Sequence, residues 1–393
     1  MAGPLEGLKI LDFTTLLPGP YATTLLADLG AEVLRVASPS RPDLANFYPP
    51  FLPGRDISAV AAYLGRGKRS ISLNLKHPAA APVVKRLIGT YDIVIEQFRP
   101  GVMAKLGLAY GDLSQDRPAL IYCSLTGYGQ TGPLAARAGH DINYLARSGL
   151  MSYSGKKESG PSLTGMQIAD VAAGSNNAVI GILAAAIHRG RTGQGQHIDI
   201  SMTDGVFAFN AMAGAAALID GKEPQRGGGL VNGGSLYDFY ETLDGQYLSV
   251  GALEPQFFGA FCRAAGCPEV AAGGFCPENV AETKILVSKI IRMKTRDQWV
   301  EIFADFDACV EPVLSFQEAV EDPHTKARGL VVDVELAGGG TVRQIACPIR
   351  FSATAPACGK AGEKPGAETE TILQENGYTE KEIAAFRTGG LFD

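Results

Sequence analysis

The sequence predicts an α/β fold: a Rossmann-like, parallel-sheet large domain plus a smaller α+β domain. Three observations carry this. Strand-like runs alternate with helical patterns over roughly the first 205 residues. After that the texture becomes Gly-rich and aromatic. Past residue 330 strand-like segments return.

The elements follow in order. "LKILDFTT" is a short apolar run ending in polar residues, a first strand. "LLPGPYATTLLADLG" has turn residues Pro18, Gly19 and Pro20, then helix formers that close at Gly30. "AEVLRVAS" and "RSISLNLK" are the second and third strands, and "HPAAAPVVKRLIGTY" is a helix with proline near its start, where a missing N–H costs little. "DIVIEQF", the short helix "GVMAKLGL" and "ALIYCSLTGYG" give the fourth and fifth strands. A helix then runs from Asp170, placed to cap it, to Gly190, placed to stop it. "QHIDISM" is another strand. "SLYDFYETLDGQYLSVGAL" reads as a hairpin turning at Leu243-Asp244-Gly245, and helical segments span about 255 to 327. "LVVDVEL" and "RQIACPI" are strand-like, and "ETETILQENGYTEKEIAAF" is helical. The domains are therefore expected at 1–205, 206–330 and 331–393, the last returning to the large domain.

Composition narrows the function. Nearly half the residues are hydrophobic (46%) and the net charge is only −6, so a globular chain with no basic nucleic-acid face is expected. The N-terminus has no basic segment followed by a long apolar one, and no uninterrupted apolar run reaches the ~18 residues of a membrane span. A cytoplasmic protein without a membrane partner is the expectation. The seven cysteines are scattered with no CxxC, so reduced thiols and no metal site are expected. The first strand–helix loop, "DFTTLLPGP", lacks GxGxxG, and no GxxxxGK[ST] occurs, which disfavours dinucleotides and a P-loop.

Three ionisable positions stand at strand ends or helix starts, where open α/β sheets place their sites. His140, with Asp141 beside it, follows the fifth strand. Asp170 heads a long Ala/Gly-rich helix. Glu254 follows the strand "QYLSVGAL". Position alone leaves two readings for each: His140 as core histidine or base, Asp170 as N-cap or reactive carboxylate, Glu254 as surface carboxylate or site residue.

"LADLGAEVLRV", "GRGKRSISLNLK", "FRPGVMAKLGL", "SLTGYGQTGP", "AGHDINY", "RTGQGQHIDISM" and "VGALEPQFF" occur in that order. Together they resemble the class III CoA-transferase family over about residues 5 to 350, and "AGHDINY" and "VGALEPQFF" look most like its α-methylacyl-CoA racemase branch. The resemblance implies His140 and Asp170 on the two faces of a substrate α-carbon, Glu254 paired with the histidine, and Asp141 beside it. A histidine, with an ordinary pKa of about 6.5, suits proton transfer near neutral pH. Asp170 needs partial desolvation to approach that range. The backbone N–H groups of its helix are the expected donors to the thioester oxygen. Racemisation of a 2-methyl or other 2-substituted acyl-CoA is the leading expectation. In the transferase branch the aspartate matching Asp170 is instead the nucleophile that carries the acyl-anhydride and CoA-thioester intermediates. One departure favours that alternative: Met166 stands where the racemases have asparagine, and "QIADVAAG" is similar to the transferase pattern. A non-catalytic subunit of a hetero-oligomer is a third reading, against which the presence of Asp170 speaks.

Coenzyme A is expected as part of the substrate, with no tightly bound cofactor. Charge and position nominate Arg35, Arg66, Lys68, Arg69, Lys76, Arg99 and Lys105 for its phosphates. The resemblance adds Leu73, Asn74, Leu75, Gly139 and Tyr144. It further implies an interlocked homodimer.

Overall fold

Six strands form one parallel sheet in the computed structural model, which describes residues 3–392: β1 (Lys9–Asp12), β2 (Glu32–Ala37), β3 (Lys68–Ser72), β4 (Ile93–Glu96), β5 (Ile121–Thr126) and β6 (His197–Ser201). Their order is β3-β2-β1-β4-β5-β6. All four residues of β4 and all six of β5 are buried, as expected of central strands covered on both faces. The chain winds outward from β1 to β3, then returns to β4 on the other side. The loops leaving β1 and β4 therefore diverge, and their carboxyl ends flank a crevice.

The turn after β1 is built without a phosphate cradle. Pro18 and Pro20 carry no N–H, and the Gly19 N–H is already donated to Gln97 Oε1 at 3.2 Å. Glycine is required at 19 because a Cβ there would lie 2.2 Å from Thr14 Cβ. Asp12, fully buried at the end of β1, accepts from Thr14 N at 2.8 Å and Thr23 Oγ1 at 2.6 Å.

The chain divides into two units. The first holds residues up to Ser148, Gly165–Ala208 and the chain from His324 onward; the second holds Gly149–Thr164 and Phe209–Pro323. The segment 149–164, which the sequence reading kept in the large domain, thus belongs to the second unit. In the first unit the tail's Ile372, Leu373, Ile383 and Leu391 join Leu34, Ile71 and Val84 in one core, after the antiparallel pair β10 (Val331–Glu335) and β11 (Thr341–Ile345). The second unit is α+β. Its strands β7 (Asp238–Glu241), β8 (Tyr247–Val250) and β9 (Val310–Pro312) form an antiparallel sheet. Its core gathers Phe258, Phe261, Phe303 and Trp299, whose indole N–H donates to Ile291 O at 2.7 Å.

Two element assignments change. β9 interrupts the stretch read as helical; at three residues ending in proline it is too short to carry an alternation. The long helix ends at Gly193, in the left-handed region with φ 72°, and not at Gly190, whose position stays helical. Its full length, Ala169–Thr192, reaches a membrane span by length and composition, which the sequence reading did not anticipate. Here it packs on the sheet, with Gly181 against Ile198 of β6.

Arg66 and Asp28, each with a side chain 1% exposed, form an ion pair at 2.5 Å, and Arg66 also donates to Gln344 Oε1 and Ile345 O. This ties the tail to the sheet. Asp28→Asn removes the charge that balances a buried guanidinium, so unfolding in urea should show a loss of about 3–5 kcal/mol; a loss under about 1 kcal/mol would mean the pair contributes no more than a surface one.

Candidate active site

The glycine-rich loop after β5 is clamped on a single aromatic ring. Tyr144 is buried, and a Cβ at Gly127 or Gly139 would lie 2.2 or 2.6 Å from its Cε1. Its hydroxyl donates to Gly139 O at 2.5 Å, and its ring meets Tyr128 edge-on at 5.1 Å. Glycine at these two positions lets the loop close on the ring, and the closed loop leads directly into the Asp141–Arg147 helix. His140 is the N-cap of that helix; its backbone N–H donates to Asn143 Oδ1 at 3.0 Å and its side chain is exposed. It is not a core histidine.

Asp141 takes a different part from the one expected. Its Oδ1 accepts from Ala169 N at 2.6 Å and Asp170 N at 3.1 Å. It is the cap of the neighbouring helix. Asp170 itself caps nothing: it lies inside the first turn, which starts at Ala169 with Ile168 as N-cap and no side-chain cap. That turn, Ala169–Ser175, is a π-helix. Such widened turns accumulate at functional sites. The expected oxyanion donors are occupied as well, since Val171 N donates to Gln167 O at 2.9 Å and the two N–H groups before it go to Asp141.

Burial, then the negative charge of Asp141, raise the Asp170 carboxyl from 3.8 to about 6, with His140 opposing. His140, Asp141 and Asp170 therefore share one electrostatic neighbourhood. Arg99 joins it: the Tyr144 hydroxyl, pushed up to about 12 by burial and by Asp170, is pulled back by Arg99. Glu254 stands in the second unit, where it is the N-cap residue of the Pro255–Ala265 helix without a side-chain cap bond.

Several basic residues nominated for coenzyme A are already engaged. Arg66 is consumed by the buried network with Asp28. Lys68 is buried on β3, donating to Pro20 O at 2.8 Å and Thr23 Oγ1 at 2.6 Å near Asp12, and burial lowers its ammonium to about 8. Arg69 pairs with Glu375 at 2.6 Å and Glu368 at 3.3 Å from the tail. These three hold the fold together. Leu73 is buried with its N–H on Ala37 O, and Tyr144 is a brace whose hydroxyl is used. Asn74 bonds Leu391 O through its N–H and accepts from Lys76 N at 3.2 Å. Leu75 packs partly buried against the core, while Lys76, Arg99 and Lys105 are exposed.

Arg35 fares differently. It lines a cavity of about 420 Å³ with Ser38, Arg41, Phe47, Phe51 and Lys364. It pairs with Asp43 at 2.6 Å, and its buried Nε has no partner.

Sequence reasoning missed four residues around this site. Gln97 holds the first helix through Gly19. Glu96, buried at the end of β4 and raised to about 7 by burial, accepts from Phe98 N at 2.8 Å and so shapes the loop bearing Gln97 and Arg99. Asp43 accepts from Leu16 N through both oxygens at 3.1 Å. Leu16 has φ 64°, a left-handed conformation rare for a bulky side chain. Only Asp43 had a signal, as an aspartate after proline ahead of a helical turn.

The profile of CoA-transferase family III matches residues 5–369. The chain is 36% identical over 382 residues to "Alpha-methylacyl-CoA racemase" of Homo sapiens, covering 96% of this chain and 95% of that one. It is 35% identical over 390 residues to "Succinate--glutarate CoA-transferase" of Agrobacterium fabrum, covering 94% and 96%. A crystal structure of a CaiB/BaiF family protein from Brucella suis superposes with a TM-score of 0.84 at 31% identity, covering 96% of this chain and 100% of that one.

The Asp170 carboxyl generates a stability prediction. Because its folded pKa is raised, ionisation disfavours the folded state, and the cost grows as pH rises from about 4 through about 6. Asp170→Asn should therefore be more stable than the wild type at pH 8 by about 1–3 kcal/mol. The gain should fade as pH falls through 6 towards 4. Urea midpoints at both ends check this, and an equal difference at both would refute it.

Proposed function

The chain belongs to CoA-transferase family III, and from that premise we propose that it is an acyl-CoA racemase or epimerase that inverts the α-carbon of a 2-methyl or otherwise 2-substituted acyl-CoA. The observation that carries this is the electrostatic neighbourhood that the exposed His140 imidazole shares with the Asp170 carboxyl, whose proton affinity is lifted towards neutrality. Inversion needs one group that takes a proton from one face and a second that returns one to the other. An ordinary carboxylate is too weak a base for the first task and, once ionised, has no proton for the second. One titrating near 6 can perform either.

The roles divide as follows. His140 and Asp170 exchange the α-proton through an enolate. Asp141 fixes the backbone that carries Asp170. Glu254 is assigned charge balance for His140. The cavity beside Arg35 and Arg41 takes the nucleotide end of coenzyme A, with cations for its phosphates and Phe47 and Phe51 for its base. A homodimer is part of this reading. On the Ala213–Asp220 helix and its approach, Met212, Leu218 and Ile219 are 71%, 83% and 90% exposed, an apolar face that a lone chain leaves in water.

A second reading has its own support in Met166 and in the comparable identity to a CoA-transferase. There the Asp170 carboxylate attacks the thioester and expels CoA thiolate, leaving a mixed anhydride. The thiolate returns to the aspartyl carbonyl and releases the donor acid.

The transferase reading needs ionised Asp170, so its rate climbs as pH rises through about 6. The racemase needs one of His140 and Asp170 protonated and the other not, so its rate passes through a maximum with pH. Proton exchange separates them. In deuterated water, with (R)-2-methylacyl-CoA and no free carboxylic acid, the racemase incorporates α-deuterium and loses optical purity. His140→Ala should slow this by about 10²-fold or more. Absence of exchange, with CoA moving to an added acid in an Asp170-dependent way, assigns the transferase. For the dimer, light scattering should give twice the chain mass, and Leu218→Asp with Ile219→Asp should shift it towards the monomer; a wild-type monomer would refute it.

A further inference from the structure

We propose that Asp43 is a positioning residue that links the nucleotide-side cavity to the turn beside Asp170. The proposal rests on the acyl-CoA reading above. From the cavity side, the guanidinium of Arg35 is nine-tenths buried, bonds Asp43 Oδ2 at 2.6 Å and leaves its Nε without a partner. That Nε and the cavity beside it offer an entering anion a donor that Asp43 does not use. From the other side, the same carboxylate accepts the Leu16 N–H through both oxygens at 3.1 Å and holds that leucine at φ 64°. Asp43 also accepts from Ala45 N at 3.0 Å, which fixes it on its own backbone.

The chain of contacts continues inward. Leu16 leads into Pro18, whose carbonyl accepts from Ser175 Oγ at 2.6 Å, and that hydroxyl lies 3.0 Å from Asp170 O. Every link lies in the first unit. An anion at Arg35 competes with Asp43 for the guanidinium, and the grip on Leu16 changes with it. The nucleotide end of coenzyme A takes no part in bond making, so its binding energy raises kcat only through a physical connection to the reacting end. Arg35, Asp43 and Leu16 supply that connection.

The test compares one acyl group carried on coenzyme A and on pantetheine, which lacks the nucleotide. Turnover at saturation is measured for the wild type and for Asp43→Asn, which keeps the shape and the cap on Ala45. In the wild type, kcat should be about tenfold higher with acyl-CoA. In Asp43→Asn the two kcat values should converge, with acyl-pantetheine within about threefold of its wild-type rate. Arg35→Lys keeps the charge but loses the fork, and the ratio of its two kcat values should fall towards one; it serves if Asp43→Asn does not fold. Equal kcat values in the wild type, or a folded variant in which both substrates fall by one common factor, overturn the proposal. Calorimetry with free coenzyme A runs alongside. A wild type that neither binds it nor turns over acyl-CoA removes the functional reading, and the link with it. A wild type that does both but gives either overturning result removes the link alone.

Discussion

The two hydrogen bonds that Asp141 accepts from Ala169 and Asp170 hold the site together. They join elements that the chain separates by 28 residues. One end is the loop after β5, which carries His140. The other is the head of the long helix, which carries Asp170. A carboxylate at a helix N-terminus is favoured by the unpaired N–H groups and the partial positive charge there. Here that preference is met from outside the helix, so the Asp170 side chain is not used as the cap. The same contact brings a negative charge close enough to raise Asp170's proton affinity. One side chain thus sets both the geometry and the electrostatics.

The turn after β1 solves a related problem. Many α/β sheets use glycines and a helix N-terminus here to hold a phosphate. This chain closes that option with two prolines and Gln97 and fixes the turn with two buried carboxylates. Asp12 holds its start and Asp43 its middle. Burying carboxylates is unfavourable unless their oxygens are satisfied. Asp12 is satisfied by two threonines and the Lys68 ammonium, Asp43 by Arg35 and two backbone N–H groups. That explains why basic residues that look available in the sequence, Lys68 above all, are internal ties.

Much of this was legible in the sequence. All six strands of the parallel sheet fall within stretches that read as strands in the sequence, and the change of composition after about 205 marked the second unit. His140 and Asp170 were found by their positions at a strand end and a helix start. What stayed hidden depends on contacts distant in sequence. Nothing local in "GHD" says that the aspartate reaches Ala169, and nothing in "RGKRS" says that three cations point inward or towards the tail. Leu16 has no signal at all, because its left-handed backbone is held by an aspartate 27 residues away. β9 was invisible because three residues carry no period.

The π-turn at the head of the long helix has a consequence for how position 170 is presented. In the body of that helix Ala178, Ile182 and Ala185 form the buried stripe. Counting back from Ala178 at ordinary helical spacing, the stripe would run through Gly174 and Val171. Gly174 is buried but Val171 is not, and the stripe continues instead through Ala173 and Ala169, a slip of one residue. The backbone's wider turn, and not any one side chain, carries the slip. The side chains around Asp170 and the frame that presents position 170 are thus set by separate features, the first by residue identity and the second by the path of the backbone.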